Sequence, residues 1–92
     1  MTNTERITRM LACYIDVYED KKVGTTLFLA DGSRVVGDIQ KTVIEKADRT
    51  DGDFLFCVIV NNAVMIDPRG NAHAYDQLAI LPEAITGVGA TA

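Results

Sequence analysis

Apolar residues recur at three- and four-residue spacing near the N-terminus, then give way to short runs typical of strands. Ile7, Leu11, Tyr14, Ile15 and Tyr18 form one apolar stripe, widened by Met10 and Val17. That spacing predicts an amphipathic helix over about residues 3–20. Asn3 or Thr4 can cap it, and Glu5 suits the positive end of its dipole. The opposite face carries Glu5, Arg6, Arg9, Asp16, Glu19 and Asp20, a mixed and mostly acidic set. It fits a helix that covers a core better than one lying on an anionic membrane.

The strand pattern begins at Gly24. Residues 25–29 are β-branched or apolar, residues 34–39 resume the pattern with Val35, Val36 and Ile39, and Asp31-Gly32 lies between the two runs. This is a hairpin signal, because glycine supplies the positive φ of a tight turn. Gly37 inside the second run predicts a bulge or a sharp bend. The second strand can run on through residues 40–45 as one long bent strand, as a small curled barrel requires. Residues 46–53 form a charged loop. Residues 54–60 are apolar at every position, so both faces of that strand should be covered, by the core and by the helix, a second sheet or another subunit. Asn61-Asn62 predicts a two-residue turn before residues 63–66, and residues 67–71 predict another. Residues 72–75 read as a short strand or a continuation, 75–77 as a helical turn, and 78–81 as a last strand stopped by Pro82. The tail 83–92, small and glycine-containing, reads as frayed.

Composition adds bounds. The 92 residues, 48% apolar and 24% charged, suit one globular domain over residues 1–92, with a barrel over about 24–82. No apolar run approaches the roughly 20 residues of a membrane span. The N-terminus has no signal-peptide pattern, so the expected compartment is the cytoplasm, without membrane partners. Cys13 and Cys57 sit in apolar segments and read as buried, reduced thiols. No zinc spacing, phosphate loop or nucleophile motif is present, so neither a metal nor a cofactor is expected. A net charge of −4 lowers the expectation of nucleic-acid binding, which draws on positive charge.

The order of helix, Asp-Gly hairpin, bent second strand and one-turn connector before a last strand resembles the Sm-like fold of Sm, Lsm and Hfq proteins. The resemblance rests mainly on residues 24–39, read as Gly24-x-x-Leu27-x-Leu29-x-Asp31-Gly32-x-x-x-x-Gly37-x-Ile39, with Asp31, Gly32 and Gly37 as the fold-defining positions. It implies a mainly β domain with one N-terminal helix, a strongly bent five-stranded antiparallel small barrel. It also implies rings in which the fourth strand of one subunit pairs with the fifth of the next. Exposed apolar edges argue separately for self-association. Family members bind RNA through the loop between strands two and three, here residues 48–53 without the expected asparagine, and through an Arg-Gly step between strands four and five, which Arg69-Gly70 resembles. The implied RNA-contacting residues are Arg49, Asn61, Asn62, Arg69 and Gly70.

Three readings result. The first is a homo-oligomeric Sm-like scaffold or binding module, the second a single-stranded RNA-binding ring, and the third an SH3-like barrel recognising peptide. Catalysis ranks below all three. His73 and the carboxylates of Asp48, Asp51 and Asp53 are the candidate acids and bases, and His73 has no evident carboxylate or cysteine partner in the sequence.

Overall fold

The computed structural model describes residues 3–18, 24–41, 44–46 and 57–91. The expectations for Arg49, for residues 47–53 of the charged loop, and for residues 54–56 of the all-apolar run lie outside them. The elements in order are helix α1 (Asn3–Tyr18), strands β1 (Gly24–Leu29), β2 (Arg34–Ile39), β3 (Val58–Ile66) and β4 (Ala72–Ile80), a one-turn 3-10 helix (Pro82–Ala84) and β5 (Ile85–Thr91). The strands form one antiparallel sheet in the order β4-β3-β2-β1-β5. The protein is thus mainly β with one N-terminal helix. The expected closure into a barrel does not occur, because the sheet ends in two edges, β4 and β5. The core is capped instead by α1, whose Leu11 and Ile15 join Leu27, Val35, Val58, Val60 and Ile85 in one buried cluster.

The helix buries the stripe its spacing dictates, with Leu11 and Ile15 enclosed and Ile7, Met10 and Tyr14 packed partly against the core. Cys13 and Val17 each lie two positions from a buried residue and so face away from the sheet. Cys13 is exposed, Cys57 partly so, and Val17 is 57% exposed, which corrects the expectation of buried thiols and a wider stripe.

The β1–β2 hairpin turns as a compact loop. Leu29 N–H donates to Ser33 O at 2.9 Å, and Gly32 N–H to Leu29 O at 3.1 Å. Asp31 Oδ1 accepts the Ser33 N–H at 2.8 Å, and Gly32 has φ +92°. The carboxylate and the left-handed glycine together make the reversal that the Asp-Gly step encodes.

Asn61 and Asn62 do not form a turn. They lie inside β3, where the register against β2 slips between Val36/Val64 and Asp38/Asn61. Asn62, at φ +50°, is the extra residue of a bulge opposite Gly37. The left-handed tolerance that suggested a turn is absorbed here without reversing the chain. The bulge shifts the buried phase from Val58 and Val60 to Ala63, keeping apolar side chains on the inner face. A Cβ at Gly37 would stand 2.6 Å from Val60 Cγ1 and 2.9 Å from Asn61 O, so only glycine fits.

Three further expectations are corrected. β2 ends at Ile39, and residues 44–46 are helical rather than extended, with Ile44 in the core. Residues 75–77 are strand, because β4 runs unbroken beside β3 from Ala72 to Ile80. The tail after the 3-10 turn is β5, paired with β1 from Gly24/Thr91 to Leu29/Ile85. Phe28 lies over the positions of Gly87 and Gly89, whose would-be Cβ atoms are 3.7 and 3.6 Å from the ring. Ala30 N–H donates to Ala84 O at 2.8 Å, tying the first hairpin to the start of β5.

Candidate functional site

The turn at residues 67–71 is built on one carboxylate. Asp67 Oδ1 accepts the backbone N–H groups of Arg69 and Asn71, each at 2.9 Å, while Gly70 N–H donates to Asp67 O at 2.9 Å with φ +91°. These bonds hold the Asp67 carboxyl below the ordinary carboxylate range, the Asn71 N–H contributing most. The Ser33 N–H does the same for Asp31. His73 has a carboxylate partner after all, its exposed ring placing Nε2 3.5 Å from Oδ2 of the partly buried Asp67.

Arg69 and Gly70 therefore sit between β3 and β4, not between β4 and β5, where the Sm resemblance places an Arg-Gly step. The β4–β5 connection is Leu81 and the Pro82–Ala84 turn. Asn61 and Asn62 lie mid-strand. Asn61 Oδ1 accepts Gln77 Nε2 at 3.0 Å across the β3–β4 pair. Four residue steps along β3, roughly 13 Å at strand rise, separate Asn62 from Ile66, and the turn lies beyond. Within one copy these residues do not converge. Among the described residues no group of three or more His, Cys, Asp and Glu side chains gathers as a metal site. No described helix is long and apolar enough to cross a membrane.

The two sheet edges form the more distinctive arrangement. β4 is bonded only to β3 and β5 only to β1 among the described residues, leaving a row of backbone donors and acceptors on each. Residues 72–77 of β4 are all exposed, including Tyr75 at 41%. Leu81, just past β4, is 66% exposed. At the opposite edge, a groove of about 420 Å³ runs beside the start of β5, lined by Asn3, Arg6, Ile7, Met10, Glu83, Ile85 and Thr86. Thr4 Oγ1 donates to Glu83 Oε1 at 3.4 Å at this end of the helix, and Thr86 Oγ1 donates to Phe28 O at 3.1 Å.

Neither edge was evident as a site in the sequence. The β4 signal was obscured because Ala72, Ala74 and Ala79 carry little strand propensity. β5 carries no such signal, since its small and glycine residues read as a frayed tail until they are seen paired with β1. Comparison of the chain with protein-family models and with curated proteins finds no match to either.

Proposed function

We propose that this chain is a self-assembling, Sm-like scaffold or binding module whose copies join head to tail, the β4 edge of one meeting the β5 edge of the next. The observation that carries this reading is that, among the described residues, one sheet ends in two unpaired edges, one of them a nine-residue strand with residues 72–77 exposed. Exposed edges of this length are normally shortened, charged, covered or paired. β4 offers only His73 and Asp76 as charges and has no proline, so it is poorly protected against pairing. A fourth-to-fifth strand contact joins different surfaces of identical copies, and it yields a ring if the rotation between copies closes. The element order of helix, four strands, one-turn helix and fifth strand supports the Sm-like part of the reading.

Placing lysine on the β4 edge tests it. Ala74 and Ala79 are exposed and can take the longer side chain. The double variant Ala74→Lys/Ala79→Lys is expected to sediment as a 10.0 kDa monomer with an unchanged circular dichroism spectrum, while the parent chain sediments as a larger species. An equally large species in the variant would rule out the β4 edge as the contact.

A further inference from the structure

We infer that the face of the sheet turned away from α1 is a second contact between copies. It packs on the same face of another copy, across a two-fold axis that crosses β2 at Val36 and sets Arg34 of each copy against Asp38 of the other. The described helical residues lie on the other side of the sheet, where Leu11, Ile15 and Ile44 share the core with Leu27 and Val35. Side chains alternate along a strand, so Leu27 inside puts Thr26 and Phe28 outside. Val35 and Ile39 inside likewise put Arg34, Val36 and Asp38 outside. Directly paired residues share a face, so Val64 opposite Val36, and Ile66 opposite Arg34, join them.

The charges on this face select the partner. β1, β3 and β5 carry no charged residue, so Arg34 and Asp38, two positions to either side of Val36, are its central base and acid. At the rim β4 adds Asp76, and His73 already paired with Asp67. Arg34 and Asp38 are both exposed and stand four residue steps apart, roughly 13 Å along the strand. Neither forms an ion pair among the described residues. A two-fold axis running along β2 would set Arg34 over Arg34. An axis lying across β2 at Val36 reverses the strand, and each Arg34 then meets an Asp38. A surface that complements itself in this way is what an isologous dimer requires. Shape agrees with charge. The same axis crosses β1 at Thr26, the partner of Val36, and carries Phe28 over Gly24. The ring, 46% exposed in its own chain, thus meets a strand position without a side chain, while Val36 and Val64 lie half-buried at the centre. Sheets stack face to face in this manner with their strands about 30° apart. Strand spacings of about 4.8 Å and residue steps of about 3.3 Å give a face roughly 20 Å on a side, below the area of a standard interface. The contact is therefore weak and fills as the concentration approaches about 1 mM.

This contact does not rest on the edge pairing proposed above, and sedimentation equilibrium of Ala74→Lys/Ala79→Lys isolates it. That variant is expected to pass from monomer at micromolar concentration to dimer near about 1 mM. On that background Arg34→Glu and Asp38→Lys each set like charges together twice, and each is expected to weaken the dimer about tenfold. They change the net charge in opposite directions, so a general charge effect would not weaken both. Arg34→Glu with Asp38→Lys restores both pairs and should return association to within about twofold of the background. Both side chains are exposed, and an unchanged thermal midpoint checks that each variant folds. A dimer equally strong in either single variant, or no stronger in the combined one, would overturn the face contact, as would a background that stays monomeric up to about 1 mM. A background as large as the parent at micromolar concentration would overturn the edge contact instead, and the same charge-reversal cycle run on the parent chain then decides the face contact.

Discussion

Gly37 is the residue on which the sheet's geometry depends most directly. It faces the β3 bulge at a distance that leaves no space for a methyl group, 2.6 Å from Val60 Cγ1 and 2.9 Å from Asn61 O. The carbonyl cannot retreat without disturbing the bulge itself. Gly37→Ala is expected to destabilise the fold by about 2 kcal/mol, the usual cost of overpacking, read from the urea midpoint at constant slope. Asp31 and Asp67 act at the two hairpin turns. Each accepts backbone N–H groups that favour its charged form, so each is held below the ordinary value of 3.8. A depressed carboxylate stabilises the folded state fully above the unfolded value and loses that contribution as pH falls through the folded one. An acid titration followed by circular dichroism should therefore show stability falling below about pH 3.8, and Asp67→Asn should flatten part of that fall. An unchanged acid profile in Asp67→Asn would show that the turn carboxylate carries none of it.

At the scale of elements, β5 depends on one ring. Phe28 lies across Gly87 and Gly89, and Phe28→Ala removes the ring that covers both glycines. With the ring 46% exposed, its contribution is about 1 kcal/mol, and loss of that contact should appear as faster amide exchange confined to β5 and its partner β1. Uniform acceleration across the sheet would instead mark Phe28 as part of the global core. The same strand shows where sequence reading stops. The helix and the first hairpin are legible because their signals are local: a 3.6-residue stripe ending at Tyr18, and Asp31-Gly32 between two apolar runs. β5 is held by residues some 60 positions away, and nothing inside Ile85–Thr91 announces that its glycines match an aromatic ring. Asn61-Asn62 misleads for a related reason. A positive φ serves a turn or a bulge equally, and only the register with Gly37 decides between them.

For the whole molecule, the open sheet matters more than any cluster of polar side chains. The candidate RNA-contacting residues that fall within the described chain, Asn61, Asn62, Arg69 and Gly70, are spread along one hairpin. The edges on which the proposed assembly rests lie at the two ends of the strand order, β4 and β5. The over-apolar third strand and the resemblance suggest self-association through the fourth and fifth strands, but residues 78–81 read as the last strand, so the segments that form these edges, Ala72–Ile80 and Ile85–Thr91, are not legible in the sequence, because strand order is a property of the fold and not of any segment. Sedimentation velocity across a micromolar concentration series measures the claim most directly. The account predicts a species several times heavier than the 10.0 kDa chain, its size fixed if the assembly closes into a ring. A single 10.0 kDa species throughout that range would contradict it.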